Sequence, residues 1–172
     1  MTTPAPGRSC ADCTMCCKVL PIEALNKPAN QWCQHCQVGQ GCKIYAERPD
    51  ECRGFNCMWL VDAKIPVELA PRDSRMVLAE TRGAIFIVVD QSRFGAWRKA
   101  PFHALFRRWS AAMAPRGERL YVREGRDLFV ILPDRDKALG EVPPGWIMAP
   151  TKRETPAGVS YDVKLAPPKS AP

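Results

Sequence analysis

The sequence predicts an α+β fold, in which an irregular N-terminal cysteine module packs on a small antiparallel sheet with one main helix. All nine cysteines of the 172-residue chain lie between residues 10 and 57. The remainder combines short apolar runs typical of strands with one longer pattern of helical period. We therefore divide the chain into a cysteine-cluster module at residues 1–60, an α+β platform at 61–166 and a flexible tail at 167–172.

The cysteines stand at short, repeated spacings. Their order is Cys10-x-x-Cys13-x-x-Cys16-Cys17, then Cys33-x-x-Cys36, Cys42, Cys52 and Cys57. Cysteines at this density serve as disulfide partners, as zinc ligands or as ligands of an iron–sulfur cluster. The choice among these three chemistries decides most of what the sequence says about function.

The sequence favours a bound metal over disulfides. The first residues, MTTPAPGRSC, contain no apolar run like that of a signal peptide, so we expect a cytoplasmic protein. Disulfides are rare in a reducing compartment, and an odd number of cysteines would leave one thiol over. The segment from residue 14 to 41 has little apolar periodicity, so we expect metal–thiolate bonds, to zinc or iron, to staple the module.

The adjacent pair Cys16-Cys17 constrains how the sulfurs are shared. Cys10, Cys13 and Cys16 match the first three positions of a bacterial ferredoxin run, but the fourth cysteine of that run is missing. Neighbouring side chains project in different directions, so the pair serves two centres or leaves one sulfur outside the coordination sphere. We therefore expect sulfurs from residues 36–57 to complete a site begun by residues 10–17, which brings the two segments into contact.

The pattern continues into Cys42-Lys-Ile-Tyr45-x-x-Arg48-Pro49-x-x-Cys52-Arg53-x-Phe55-x-Cys57. Over residues 10–57 it resembles the bacterial YkgJ-type (CxxCxxCC) cysteine-cluster family, a zinc- or iron-chelating domain whose members are often labelled as iron–sulfur proteins. The resemblance implies metal binding and supplies no reaction. The predicted metal ligands are the eight cysteines of the basic pattern: Cys10, Cys13, Cys16, Cys17, Cys36, Cys42, Cys52 and Cys57. Cys33 is additional, so the Cys33→Ser variant should keep almost all of its metal.

The non-cysteine positions of this stretch have two readings. Arg48 and Arg53 would offset thiolate charge while Tyr45 donates to a sulfur or to the backbone. Alternatively, the three side chains fix the local turn through salt bridges. Pro49 suits the first turn of a short helix. His35 is a weaker candidate zinc ligand, because eight or nine sulfurs are available.

The platform contains four recognisable strand patterns around one helix. Pro101 opens a helical stripe with apolar residues three and four positions apart, Gly117 follows its end, and His103 falls on the polar side, where we expect it exposed. A late alternating run, 159–165, predicts one more strand. We expect a mainly antiparallel sheet covered by the helix. The strand patterns are 75–80 and 84–90, joined by Thr81-Arg82-Gly83, and 119–124 and 128–132, joined by Gly125-Arg126.

The sequence excludes several classes of function and leaves three hypotheses. It contains no phosphate-binding glycine loop, nucleophile elbow or dinucleotide fingerprint, so an enzyme is less favoured. It also has no apolar run long enough to span a membrane. The first hypothesis is a protein that binds zinc or iron and presents its sheet to a protein partner; the second is an iron–sulfur redox enzyme or electron-transfer component. The third, a zinc-stabilised nucleic-acid-binding module, depends only on the net charge of +6 that nineteen Lys/Arg and thirteen Asp/Glu give residues 61–172, and is disfavoured.

Overall fold

The computed structural model describes residues 3–10, 12–81, 83–156 and 158–168. The centre of the predicted hairpin at Arg82 and positions 169–172 of the predicted tail lie outside the described residues. The helices are α1 Met15–Val19, α2 Asp50–Gly54, α3 Met58–Val61, α4 Pro71–Ser74 and α5 Phe102–Met113. The strands are β1 Cys36–Gln37, β2 Gly41–Cys42, β3 Met76–Thr81, β4 Ala84–Val89, β5 Arg119–Glu124, β6 Asp127–Ile131, β7 Asp136–Glu141, β8 Ile147–Thr155 and β9 Gly158–Ala166.

The platform is built around a five-stranded sheet in the order β3-β4-β5-β6-β7. Three of its ladders are antiparallel, and the predicted α+β fold with antiparallel pairing and one main helix is confirmed. The β4–β5 ladder is parallel, which the sequence analysis did not predict. The reason is that the connection between these strands carries α5 across the sheet and returns the chain to the end at which β4 began.

The two predicted hairpins are present, as β3–β4 and β5–β6, whereas the late strand is placed outside the main sheet. In the first hairpin Met76 pairs with Val89, and in the second Leu120 pairs with Ile131. The late strand β9 does not join the main sheet but pairs with β8 in a separate two-stranded sheet. Strands β7 and β8 were not predicted, because glycine, proline and charged residues interrupt their apolar alternation.

One face of the main sheet packs against α5. Because side chains alternate along a strand, Met76 and Leu78 point to this face, where they form a buried core with Phe106 and Trp97. The hydroxyl of Ser110, buried within α5, donates to the carbonyl of Ile131 at 2.6 Å and fixes the helix against β6. The apolar stripe predicted from Pro101 onward therefore faces the core as expected.

The opposite face of the sheet is covered by two separate parts of the chain. Val163 of β9 lies in an apolar cluster with residues of β5 and β6. Next to it, Met15 and Val19 of α1 pack against Val77 and Val88 of β3 and β4. The cysteine-bearing segment thus packs directly on the sheet. Among the described residues, no helix is long and apolar enough to cross a bilayer.

Candidate metal centre

The N-terminal arm is fastened along the end of α3. The Arg8 guanidinium stacks on the Trp59 ring, 4.9 Å from its centroid, and donates to four main-chain carbonyls. The Ala5 amide donates to the Leu60 carbonyl at 2.8 Å. Since Cys57 precedes the first residue of α3, this fastening carries Cys10 towards it. The carbonyls are those of Trp59, Asp62 (2.8 Å), Ala63 (3.2 Å) and Ile65 (2.6 Å).

The Arg8→Gln variant should release this arm. Glutamine is too short and has too few donors to serve four carbonyls, and the lost bonds should cost about 1.5 kcal/mol, or roughly a tenfold larger open population. We expect the Ala5 amide to exchange its hydrogen about tenfold faster, measured by NMR. The control is Arg126→Gln, which removes only an exposed ion pair with Glu141. Unchanged Ala5 exchange in Arg8→Gln would show that the arm is held by other contacts.

Helix α1 determines how the adjacent cysteines are presented. Met15 and Val19, four residues apart on one side of the helix, are buried against the sheet. Cys16 and Cys17 are half-buried; at 100° per residue, Cys16 flanks that apolar contact and Cys17 lies on the opposite face of the helix. On the next position, the Lys18 ammonium binds both carboxylate oxygens of the fully buried Asp90, at 2.7 and 2.9 Å.

The middle cysteines form a compact knuckle beside α1. The Cys33 amide donates to the Cys17 carbonyl at 3.0 Å, and the Cys36 amide donates to the Cys33 carbonyl at 2.9 Å. Cys36 is then paired with Cys42 across the β1–β2 ladder. The buried Thr14 hydroxyl accepts from the amide of Gly39, whose φ of +73° closes the turn, and donates to the Cys36 sulfur. The knuckle is thereby attached to the residue just before α1.

Two charged side chains attach α2, and with it Cys52, to the same region. The Glu51 carboxylate accepts the amides of Ala24 at 2.8 Å and Glu23 at 3.2 Å. Lys27, just beyond that turn, is buried and donates to the carbonyls of Lys18 (3.1 Å), Leu20 and Pro28 (2.9 Å). Burial lowers the pKa of Lys27, an effect opposed by the nearby thiols of Cys33, Cys17, Cys16 and Cys52. Lys27, like Arg8 and Asp90, was missed from the sequence, because no spacing rule identifies a lysine that folding will bury.

The flanking polar residues divide between the two readings left open by the sequence. Arg53 fixes the turn, since its guanidinium donates to the carbonyls of Arg48 and Ala46, each at 2.8 Å. Arg48 lies over the Tyr45 ring at 3.9 Å, and its charge counteracts the raised pKa of Cys10. His35 is half-buried with its Nε2 atom 3.3 Å from the Gln34 side chain.

His103 is not the freely exposed residue that the sequence analysis expected. Its Nε2 atom lies 2.9 Å from the Asp136 carboxylate, which Arg107 also binds at 2.8 Å. The side chain of His103 is only 33% exposed. Helix periodicity placed it on the polar side of α5, but could not show that the unpredicted strand β7 would supply a partner there.

The sulfurs of the two cysteine segments meet at Cys17. The Cys17 side chain is hydrogen-bonded to those of Cys16 and Cys36, so a cysteine of residues 10–17 contacts one of residues 36–57. The hydrogen bond with Cys16 is the main reason that the pKa of Cys17 is lowered, against the effect of burial, and the same bond raises the pKa of Cys16. Burial raises the pKa of Cys10 and of Cys36 to about 11 in each case.

These thiols have the chemistry of a metal site without its assembled geometry. All nine cysteines are free thiols, and thiolate sulfur is the ligand type that zinc and iron–sulfur clusters favour. Within the part of the chain that the structure describes, no three Cys, His, Asp or Glu side chains stand close enough together to hold a metal ion. The fold therefore brings sulfur donors from separate segments near one another, without assembling three of them at one point among the described residues.

Comparison of the chain with protein-family models, with curated proteins and with solved structures finds no match in any of the three.

Proposed function

We propose that this protein binds zinc or iron, the latter as an iron–sulfur cluster or as single ions, through the clustered cysteines of residues 10–57. The observation that carries the proposal is the placement of free thiols from separate segments around α1. Among them, the Cys17 side chain is hydrogen-bonded to those of both Cys16 and Cys36. The ligands are those of the predicted pattern: Cys10, Cys13, Cys16, Cys17, Cys36, Cys42, Cys52 and Cys57. The resemblance of this spacing to the YkgJ-type family agrees with the same function.

Polar groups beside the thiols would partly offset the charge of a thiolate cluster. Deprotonated thiolates repel one another, and each needs nearby positive charge or hydrogen-bond donors. Lys27 and Arg48 supply positive charge, and Thr14 supplies a hydroxyl donor to Cys36. Ligation requires the thiols to lose their protons, so raised thiol pKa values make the affinity for metal increase with pH.

The structure of residues 33–57 also favours a metal-stabilised segment. Helix α2 has no buried residue, and β1 and β2 are only two residues long. Such elements bury too little apolar surface to offset the entropy of ordering the chain. Metal–thiolate bonds would supply that stabilisation, as they do in zinc fingers.

Metal analysis of protein purified without oxygen and without chelators tests the proposal. We expect stoichiometric zinc in a colourless protein, or iron with inorganic sulfide in a brown one. The matched control carries Cys16→Ser and Cys17→Ser, which remove the two sulfurs at the junction of the segments and should lower the metal content strongly. A wild-type chain that holds neither metal, and that gains none from added zinc(II), would overturn the proposal.

A further inference from the structure

We propose that α1 separates two metal centres, one holding Cys16 and the other holding Cys17. The first centre is formed by Cys10, Cys13, Cys16 and Cys57. The second draws its four ligands from Cys17, Cys33, Cys36, Cys42 and Cys52. This inference depends on the proposed metal binding and adds the number of centres and the division of the ligands between them.

The first group lies between α1, α3 and the N-terminal arm. Cys13 and Cys57 both pack against the apolar cluster in which Met15 and Val19 contact the sheet. The arm held by Arg8 brings Cys10 to the same place, and its thiol interacts electrostatically with those of Cys13 and Cys57 before that of Cys17. The Cys16 thiol interacts first with its neighbour Cys17, and then with the thiols of Cys10 and Cys13 in this group. Four sulfurs are the number that one tetrahedral ion requires.

The second group lies on the other side of α1, around the knuckle. Cys17 contacts Cys36 through their sulfurs and Cys33 through the main chain, and Cys36 pairs with Cys42 across β1–β2. Cys52 interacts electrostatically with Cys17, Cys33 and Cys42. Cys52 lies in α2, and the neighbouring Glu51 carboxylate accepts the amides of Glu23 and Ala24, in the turn that precedes Lys27. This group contains five thiols, one more than a tetrahedral site uses.

The helical geometry of α1 explains the division. Successive residues on an α-helix point about 100° apart, because each turn contains 3.6 residues. With Met15 and Val19 directed into the sheet, Cys16 and Cys17 leave the helix in different directions, which favours separate centres for their sulfurs. The hydrogen bond between their sulfurs marks the place where the two groups adjoin.

Titration of the wild-type, metal-free protein with cobalt(II) counts the centres. Cobalt(II) bound to four thiolates has strong visible and near-ultraviolet absorption and substitutes for zinc in tetrahedral sites. We expect absorption to saturate at two equivalents per chain. Saturation at one equivalent would overturn the inference while leaving the proposed metal binding intact. No cobalt or zinc binding, by a chain that is also purified without iron, would overturn both.

Two matched double variants test the division of ligands. Cys10→Ser with Cys57→Ser leaves two sulfurs in the first group, and Cys42→Ser with Cys52→Ser leaves three in the second. After loading with zinc(II), each variant is treated with N-ethylmaleimide, and the modified cysteines are mapped by mass spectrometry. In the first variant we expect Cys13 and Cys16 to be modified while Cys36 and Cys42 stay protected; in the second, Cys10 and Cys13 should stay protected while Cys17 and Cys36 are modified.

The zinc content of these variants gives an independent measure. Each double variant should retain about half of the wild-type zinc, and the variant with all four substitutions should retain none. Loss of protection at every cysteine in both double variants, together with saturation of the wild type at one equivalent, would show one shared centre. Full zinc retention by either double variant would show that its substituted residues are not ligands, and would overturn the assignment.

Discussion

Removal of the metal is expected to abolish hydrogen-exchange protection in residues 33–57 and to leave the main sheet protected. These residues have few buried apolar side chains to hold them once the metal–thiolate bonds are lost. Structural zinc contributes roughly 10–16 kcal/mol to folding in small zinc domains, so the change should be close to complete. The central strands β5 and β6 are stabilised by the core against α5 and should not depend on metal.

The measurement is hydrogen exchange of metal-loaded and chelator-treated protein under reducing conditions. The amides of Val122 and Val130, both fully buried in the sheet, serve as internal controls. Helix α1 should show an intermediate loss, because Met15 and Val19 remain packed on the sheet without metal. Simultaneous loss of protection in the knuckle and in β5–β6 would show that the module and platform unfold as one cooperative unit, and the proposed division at residue 60 would fail.

The Asp90→Asn variant is expected to lower the free energy of unfolding by about 3 kcal/mol at neutral pH, the scale for breaking a buried ion pair from one side. Asp90 is fully buried after β4 and binds Lys18 of α1 and the amide of Ser92. The neutral amide would leave the Lys18 ammonium, only 20% exposed, without its counterion. This pair connects the cysteine segment to the platform, so α1 should lose protection before the sheet does.

A double-mutant cycle and a surface control separate this pair from general effects. Lys18→Met with Asp90→Asn should be less destabilised than the sum of the single variants, because no unpaired charge remains. The control, Asp162→Asn, breaks the Lys137 pair at 2.8 Å, where both side chains are 35% exposed, and should cost about 1 kcal/mol or less. Equal losses of unfolding free energy in Asp90→Asn and Asp162→Asn would show that burial does not strengthen the contribution of the Asp90 ion pair to stability.

The effect of Asp90→Asn should also depend on pH. Burial alone would raise the pKa of Asp90, but the hydrogen bonds from Lys18 and the Ser92 amide outweigh it and lower the pKa below its ordinary value of 3.8. A carboxylate whose pKa is lowered by folding stabilises the folded state above its unfolded pKa and loses that contribution as the pH falls through the folded value. The difference between wild type and variant should be constant above about pH 5 and shrink in more acidic solution.

Local patterns predicted the helix and the hairpins because their signals lie within the elements themselves. The apolar stripe from Phe102 to Met113 is contained in one helix, and Gly125 stands where a two-residue turn needs a positive φ. The parallel β4–β5 ladder could not be predicted in this way, because it joins strands separated by the whole of α5. The pairing of β9 with β8 was also missed, since Pro150 and the charged residues that follow it mask the strand pattern of β8.

For the candidate site, the sequence by itself determined the inventory of donors: nine cysteines in one segment, with spacings that place pairs of sulfurs near each other and an adjacent pair that cannot share one ion easily. Spacing is a local property of the sequence, so it can identify the donors and the pairs of sulfurs that lie close together along the chain. Only the tertiary structure decided which cysteines are neighbours across the chain. Burial of Met15 and Val19 on the sheet directs Cys16 and Cys17 to different sides, and Arg8, Glu51 and Lys27 hold the segments that surround them. Those contacts join residues far apart in sequence, and they form because buried polar groups and apolar side chains must find partners in the folded chain.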